Sequence, residues 1–236
     1  MNGLFLTGTD TGVGKTVLTA TLALGLRARG LEIGVAKPIQ TGALAADPEG
    51  DAAVLKRWLG LTESLEEICP FSFSPPVAPL IAAKLEAREL ALDDVVDAVT
   101  ALEDRYEAVL VEGVGGLLVP VGPGWNVSDL AEALGLHLVV VARPGLGTVN
   151  HTLLTLEAAR ARGLRVAGVI LNGRRDQHDA SLERNADLIT SLGEVRVIGQ
   201  TPWVEGSLTS ERLAKLAAVN IVLDPLLSVL KDASRA

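Results

Sequence analysis

Lys15 and Thr16 close the segment Gly8-Thr9-Asp10-Thr11-Gly12-Val13-Gly14. The apolar run Leu4-Phe5-Leu6-Thr7 leads into it, and a stretch with helical apolar spacing follows. That order offers phosphate binding. Glycines let backbone N–H groups turn inward around a polyphosphate, and a helix N-terminus adds unpaired donors and the positive end of its dipole. Lys15 can reach the β and γ phosphates, and the Thr16 hydroxyl can hold a magnesium ion. The spacing is G-x5-G-K-T, five residues between Gly8 and Gly14 where the common loop has four. The alternative, a glycine turn that merely caps a helix, is disfavoured because strand, loop and helix occur in the required order. The chain is expected to bind a nucleoside triphosphate.

Other chemistry-bearing residues lie just past apolar runs. Lys37 ends Ile33-Gly34-Val35-Ala36 and opens Lys37-Pro38-Ile39-Gln40-Thr41-Gly42. A lysine closing a buried strand either snorkels at the sheet rim or projects into the phosphate cleft; the neighbouring loop favours the second. Glu112 follows Ala108–Val111 and sits where nucleotide-binding loop enzymes carry a second magnesium ligand, more commonly Asp. Asp51 follows Gly50 at a helix start, so capping and metal ligation both remain open. Asn172-Gly173 and Pro202-Trp203-Val204 follow two further strands, where a base could rest or an ordinary turn could form. Gly145–His151 precedes a helix whose free N–H groups could hold a carboxylate. His151 is read as a packing or capping residue, and Cys69, ahead of Pro70 in an apolar stretch, as core.

The elements that must position these residues alternate. Strands are expected at 4–7, 33–37, 108–111, 137–142, 166–171 and 195–198. Helices are expected at 16–29, 52–59, 92–102, 127–134, 149–162, 182–192 and from Ser210, with a short strand near 221–223. Gly113–Gly116 reads as a turn. Pro70, Pro75, Pro76 and Pro79 make 69–79 an extended connection. Strands apolar on both faces and separated by helices indicate a parallel sheet covered on both sides. In such a sheet ligands bind at the carboxyl ends of the strands, where the residues above fall. The expected fold is α/β, one domain over residues 1–236, with helices on both faces of a mostly parallel central sheet.

Composition narrows the partners. Apolar residues make up 48% and charged residues 21% of the 236, as in a chain with a sizeable core. A net charge of −8 argues against nucleic acid or an anionic membrane as main partner. With Cys69 the only cysteine, no intramolecular disulfide can form, and a cytoplasmic protein is the simplest reading. No stretch approaches the roughly 20 apolar residues needed to span a bilayer.

The ordered motifs resemble the dethiobiotin synthetase family. They are Gly8–Thr16, Lys37–Gly42, Val111–Gly116, Gly147–His151 and Pro202-Trp203, and the resemblance runs from residue 1 to about 205. It implies an ATP-dependent ligase that carboxylates 7,8-diaminononanoate with CO2 and closes a cyclic urea. The route passes through a carbamate and a carbamic–phosphoric mixed anhydride, without a covalent enzyme intermediate. It implies Lys37 and Lys15 as catalytic residues, and Thr16, Asp51 and Glu112 as magnesium positions. ATP would be held by Gly12, Val13, Gly14, Lys15, Thr16 and Val17, by Asp51, Glu112, Gly113, Val114 and Gly115, and by Asn172, Gly173, Pro202, Trp203 and Val204. Thr11, Thr41, Gly147 and Asn150 would touch the diamine substrate, whose tail would reach the partner of a homodimer. Gly12 stands where some members carry Glu. Two rival classes share the phosphate loop. Cobyrinate-type amidating synthetases carry a glutaminase domain with a nucleophilic cysteine, and only about 30 residues follow Trp203 here. ATP-switched partitioning proteins usually have a lysine early in the loop, where this chain has Thr9.

Overall fold

The computed structural model describes residues 1–175 and 181–233. Six strands form the central sheet: β1 (Gly3–Gly8), β2 (Ile33–Ala36), β5 (Ala108–Gly116), β8 (His137–Ala142), β9 (Val166–Arg174) and β10 (Val197–Pro202). Their order is β10-β9-β8-β1-β5-β2, and every pairing is parallel. Two short strands, β3 (Ile39–Thr41) and β4 (Phe71–Phe73), pair in parallel beside it, and β6 (Pro120–Gly122) pairs antiparallel with β7 (Trp125–Asn126).

Alternation along each strand feeds two apolar layers. Leu4 and Leu6 of β1, with Val35, Leu110 and Ile170, pack under α1 (Lys15–Arg27), α2 (Asp51–Leu59), α9 (Ser210–Asn220) and α10 (Asp224–Ala233). Phe5, Val109 and Val111 point the other way, against α5 (Leu92–Thr100) and α6 (Val127–Ala133). Val140, Val169 and Leu171 meet α7 (Thr148–Ala161) and α8 (Asn185–Gly193). Two short helices, α3 (Leu65–Ile68) and α4 (Pro79–Leu85), flank the proline-rich connection. No helix among the described residues is long and apolar enough to cross a membrane.

The expected strands and major helices are present, with ends displaced by a few residues. Gly113–Gly116 differs: it is not a turn but the continuation of β5. Its pairing with β1 slips between Leu6↔Glu112 and Gly8↔Gly116, so the extra residues on β5 bulge. Glycine is required at 113, because a Cβ there would stand 2.8 Å from the Phe5 ring. The bulge lies beside Glu112 and brings Gly116 opposite Gly8, where the phosphate loop begins. The expected strand near 221–223 is reduced to one bridge between Ile221 and Gly199.

Candidate active site

The phosphate loop joins β1, the strand between β5 and β8, to α1. Gly12 and Gly14 adopt left-handed backbone, with φ of +74° and +91°. Gly14 caps α1 without a side chain, so the first N–H groups of the helix face the cleft free of any side-chain cap. Lys15 folds back over the loop, its ammonium 3.3 Å from the Asp10 carbonyl. Burial, and then the Lys37 charge, push its amine down to about 8. A bound polyphosphate would oppose both effects.

Lys37 arrives from the end of β2. Its backbone N–H donates to Ile68 O at 2.8 Å, and Phe71 N–H donates to Pro38 O at 3.1 Å, starting the β3–β4 pairing. The Lys37 ammonium then reaches Glu112 Oε1 at 2.7 Å and Asp51 Oδ2 at 2.8 Å. Burial works against this ammonium, but Glu112 and then Asp51 outweigh it and hold the amine above the ordinary lysine range. Burial would raise the Asp51 carboxyl; Lys37 and the Thr16 hydroxyl hold it below the usual range.

Asp51 is the first residue of α2, and its carboxylate makes no cap bond. It turns into the cleft instead, toward Thr16 and Lys37, so of the two uses the sequence left open the carboxylate does not serve as a cap. The Thr16 hydroxyl lies 2.9 Å from Asp51 Oδ1 and 2.9 Å from Glu112 Oε1. One hydroxyl proton can serve only one of them at a time, so three oxygens crowd a point where a cation would relieve the repulsion. The second Glu112 oxygen, Oε2, is buried with no hydrogen-bond partner. Lys15 and Lys37 balance Asp51 and Glu112, leaving the cradle near neutral.

These side chains line a cleft of about 580 Å3 together with Thr11, Gly12, Gly14, Val17, Gln40, Thr41, Val114 and Gly115. The proline connection supplies the opposite wall through Pro76–Pro79, a contribution not anticipated from the sequence. Thr11 and Val119 are shared with a second, more apolar cleft of about 530 Å3, lined by Leu117, Leu118, Leu154 and His151. Val13 is buried behind the loop and Gly113 lies under β1. Gly147, in left-handed backbone at the N-cap, and Asn150 sit at the start of α7 and line neither cleft.

The strand-end residues of β9 and β10 form a ledge on the far side of the loop. Asn172 donates from Nδ2 to Val13 O at 2.8 Å and accepts from the Thr201 hydroxyl at 2.6 Å. A Cβ on residue 14 would come within 2.0 Å of that amide nitrogen. Asn172 therefore braces the phosphate loop, a contact invisible in the linear sequence. Trp203 is 53% exposed above Gly173, and the Arg175 guanidinium lies 4.2 Å from its ring centre. Pro202 is exposed and Val204 packs partly against the core.

Comparison with known proteins bears on this geometry. A family model described as an AAA domain matches residues 2–211. The ATP-dependent dethiobiotin synthetase BioD of Bacillus cereus is 42% identical over 234 residues, covering 99% of this chain and 97% of its own. The chain belongs to the dethiobiotin synthetase family. The BioD enzyme of Anaeromyxobacter dehalogenans is 49% identical over 203 residues, covering 86% of this chain and 91% of that one. Solved structures extend the likeness of fold beyond the family. The septum site-determining protein MinD of Pyrococcus horikoshii, complexed with Mg-ADP, matches at TM-score 0.54 and 17% identity over 98% of this chain and 99% of that one. A ParA family ATPase of Chlorobium tepidum matches at TM-score 0.54 and 13% identity over 100% and 95%. At such identity the likeness is one of fold alone: the chain shares its parallel sheet and helices with these MinD and ParA family structures.

Proposed function

We propose that the protein converts 7,8-diaminononanoate, CO2 and ATP into dethiobiotin, ADP and phosphate. One amine takes up CO2 as a carbamate, losing a proton. A carbamate oxygen then attacks the γ-phosphorus, and the bond to the β–γ bridging oxygen breaks with ADP leaving. The second amine attacks the carbamoyl carbon of the mixed anhydride, closing the five-membered urea and expelling phosphate. The observation that carries this reading is the Lys37 ammonium held between Glu112 and Asp51 beside the phosphate loop, in a chain of this family.

The physical task is to bring a carbamate against a triphosphate although both are anions. Positive charge fixed in advance lowers that barrier, and holding the reactants together removes much of its entropic part. Lys37 is assigned to the carbamate and the transferring phosphoryl group, and Lys15 to the β and γ phosphates. Thr11 and Thr41, at the cleft lip, are assigned to the diamine end.

Thr16, Asp51 and Glu112 are assigned to magnesium. An oxygen-only donor set with two carboxylates suits a small hard cation that keeps water and phosphate ligands. The partnerless Glu112 Oε2 and the crowded Thr16 hydroxyl support the fit. When bound, the metal would neutralise charge on the β and γ phosphates. Asn172, Gly173, Pro202, Trp203 and Val204 are assigned to the adenine end, with the loop and Gly113–Gly115 along the phosphates.

The second cleft, which shares Thr11 and Val119 with the first, suits the apolar chain of the substrate. Exposed Leu118 and Leu154 line it, which favours a homodimer that covers this face and brings Gly147 and Asn150 of one copy toward the other's substrate. A free, buried Cys69 fits a cytoplasmic location.

The test is incubation with ATP, magnesium, bicarbonate and 7,8-diaminononanoate, read by mass spectrometry for the cyclic urea. Phosphate release should depend on the diamine. Steady ATP hydrolysis without diamine, and no urea, would overturn the assignment. Sedimentation as a monomer at tens of micromolar would overturn the dimer.

A further inference from the structure

Gln40, the middle residue of β3, is buried, and its carboxamide is almost fully used. Nε2 donates to Ala43 O at 3.1 Å and to Leu44 O at 3.2 Å, while Oε1 accepts from Ala52 N–H at 3.0 Å. Ala52 is the second residue of α2, so its N–H is one of those that a helix start leaves without an internal partner. The N-cap, Gly50, has no side chain to satisfy it. Gln40 does so from a different element.

Glycine at 50 is what allows the approach. A Cβ there would lie 2.5 Å from Gln40 Nε2 and 3.2 Å from Asp47 O. The turn is tightened further by Gly50 N–H donating to Asp47 O and Asp47 N–H donating to Leu44 O, each at 2.9 Å. One amide thus ties both ends of the 43–52 connection to β3. The residue beside Ala52 is Asp51, whose carboxylate contacts Thr16 and Lys37. That carboxylate is 40% exposed, and the N-cap Gly50 gives the start of its helix no side-chain cap of its own. Its placement depends on where α2 begins.

We infer that Gln40 is the positioning residue for Asp51: it fixes the first turn of α2 and thereby holds the carboxylate beside Thr16 and Lys37. The inference rests on the proposed assignment of Asp51 to the metal. Loss of a buried amide's partners should loosen this turn, whereas the phosphate loop, held by Asn172 from the other side, should stay in place.

The experiment is a titration of the full-length protein with Mn2+ in the presence of ADP, read by electron paramagnetic resonance of free Mn2+. The variants are Gln40→Met, Gln40→Asn, Asp51→Asn and the double variant Gln40→Met/Asp51→Asn. Gln40→Met keeps the length without the amide, and Gln40→Asn keeps the amide but is one methylene short of Ala52. Each should raise the Mn2+ midpoint about tenfold, leaving ADP affinity in EDTA within about twofold. The double variant should be no worse than Asp51→Asn alone, because Gln40 acts through that carboxylate. Full additivity would overturn the inference, as would unchanged midpoints in both single Gln40 variants. If Asp51→Asn itself leaves the midpoint unmoved, the metal assignment fails first and Gln40 with it. If Gln40→Met does not fold, Gln40→Asn decides the matter by the same criteria.

Discussion

Lys37 and Glu112 form a buried ion pair, with the ammonium 2.7 Å from Oε1 and the carboxylate shielded completely from water. The same ammonium holds Asp51 at 2.8 Å. A lysine therefore stands as counter-charge to the two carboxylates assigned to magnesium, and the two cations compete for them. On that assignment, metal binding without nucleotide should be weak. A triphosphate would shift the balance by offering Lys37 a second anionic partner.

Lys37→Gln should therefore do two opposite things. Turnover should fall by about 10²–10³-fold or more, the scale for removing one group that stabilises developing charge. Mn2+ affinity of the nucleotide-free protein should rise, by about tenfold, because the carboxylates lose their competitor. Removing one partner of a buried pair leaves the other charge uncompensated, so Mn2+ should also raise the melting temperature of this variant more than that of the parent. Calorimetry in the presence and absence of Mn2+ measures both. An unchanged or weaker nucleotide-free affinity would show that the ammonium does not guard the metal position.

Tyr106 gives a pH prediction away from the cleft. It is the only tyrosine, its hydroxyl donates to Glu63, and its ring covers Gly34. Burial, then the Glu63 bond, push the phenol up from the ordinary 10 to about 12. The folded form keeps its proton where the unfolded chain would lose it. This contribution to stability is thus complete below pH 10 and is lost as pH climbs through about 12. Absorbance near 295 nm, with one tyrosine to report, should show the native midpoint well above that in denaturant. Glu63→Gln should move it back down. A native midpoint equal to the denatured one would contradict the packing.

Ala87 carries the left-handed backbone that ends α4, with φ of +51°. Ala87 N–H bonds to Lys84 O and Arg88 N–H to Ala83 O, the arrangement in which glycine usually occupies this position. A Cβ in left-handed backbone costs about 1–2 kcal/mol, and the added freedom of glycine in the unfolded chain returns about 0.4–1 of it. Ala87→Gly should stabilise the protein by roughly 0.5–1 kcal/mol, a rise in melting temperature of a few degrees at most. Gly60, with φ of +60° after α2 and open space around it, is the converse site. There Gly60→Ala should destabilise by a similar amount. Two shifts of the same sign in urea denaturation would refute the conformational argument.

The residues that act through their own chemical type were legible in the chain. Gly8–Thr16, Lys37 and Glu112 follow apolar strands, and parallel strands deliver their ends to one edge; the structure gathers them there. Asp51 was ambiguous because a carboxylate at a helix start has two uses, and only the direction of its side chain decides between them. Gly113–Gly116 misled because a glycine run signals a turn locally, whereas pairing with β1 pulls it into a strand with a bulge. Gln40 and Thr201 gave no signal, since a neutral polar residue within a strand becomes informative only when its partner, 12 or 29 residues away, is known. The proline connection could be read as extended, but not as a wall of the cleft.

Asn172 separates two ways of holding a nucleotide. Its sequence position suggests a contact with the base, and it is so assigned here. Its observed bonds run instead to Val13 of the phosphate loop and to Thr201. A carboxamide has two donor hydrogens and one oxygen with two lone pairs, so bracing the loop leaves capacity for a base as well. The two duties differ in what they cost when lost. A pure brace stabilises the loop for any polyphosphate, so Asn172→Ala should weaken ATP and inorganic triphosphate equally, by about tenfold for one buried bond of roughly 1–1.5 kcal/mol. A residue that also reads the base should weaken ATP more than triphosphate, the excess being the base contact. Thr201→Val removes only the hydroxyl that orients the amide and leaves the bond to Val13 O available, so it should weaken both ligands equally and by less than Asn172→Ala does. Isothermal titration of both ligands against both variants measures the partition. If neither ligand loses affinity in Asn172→Ala, the bond to Val13 O carries no weight in nucleotide binding, and the loop is held by its own glycines and the start of α1.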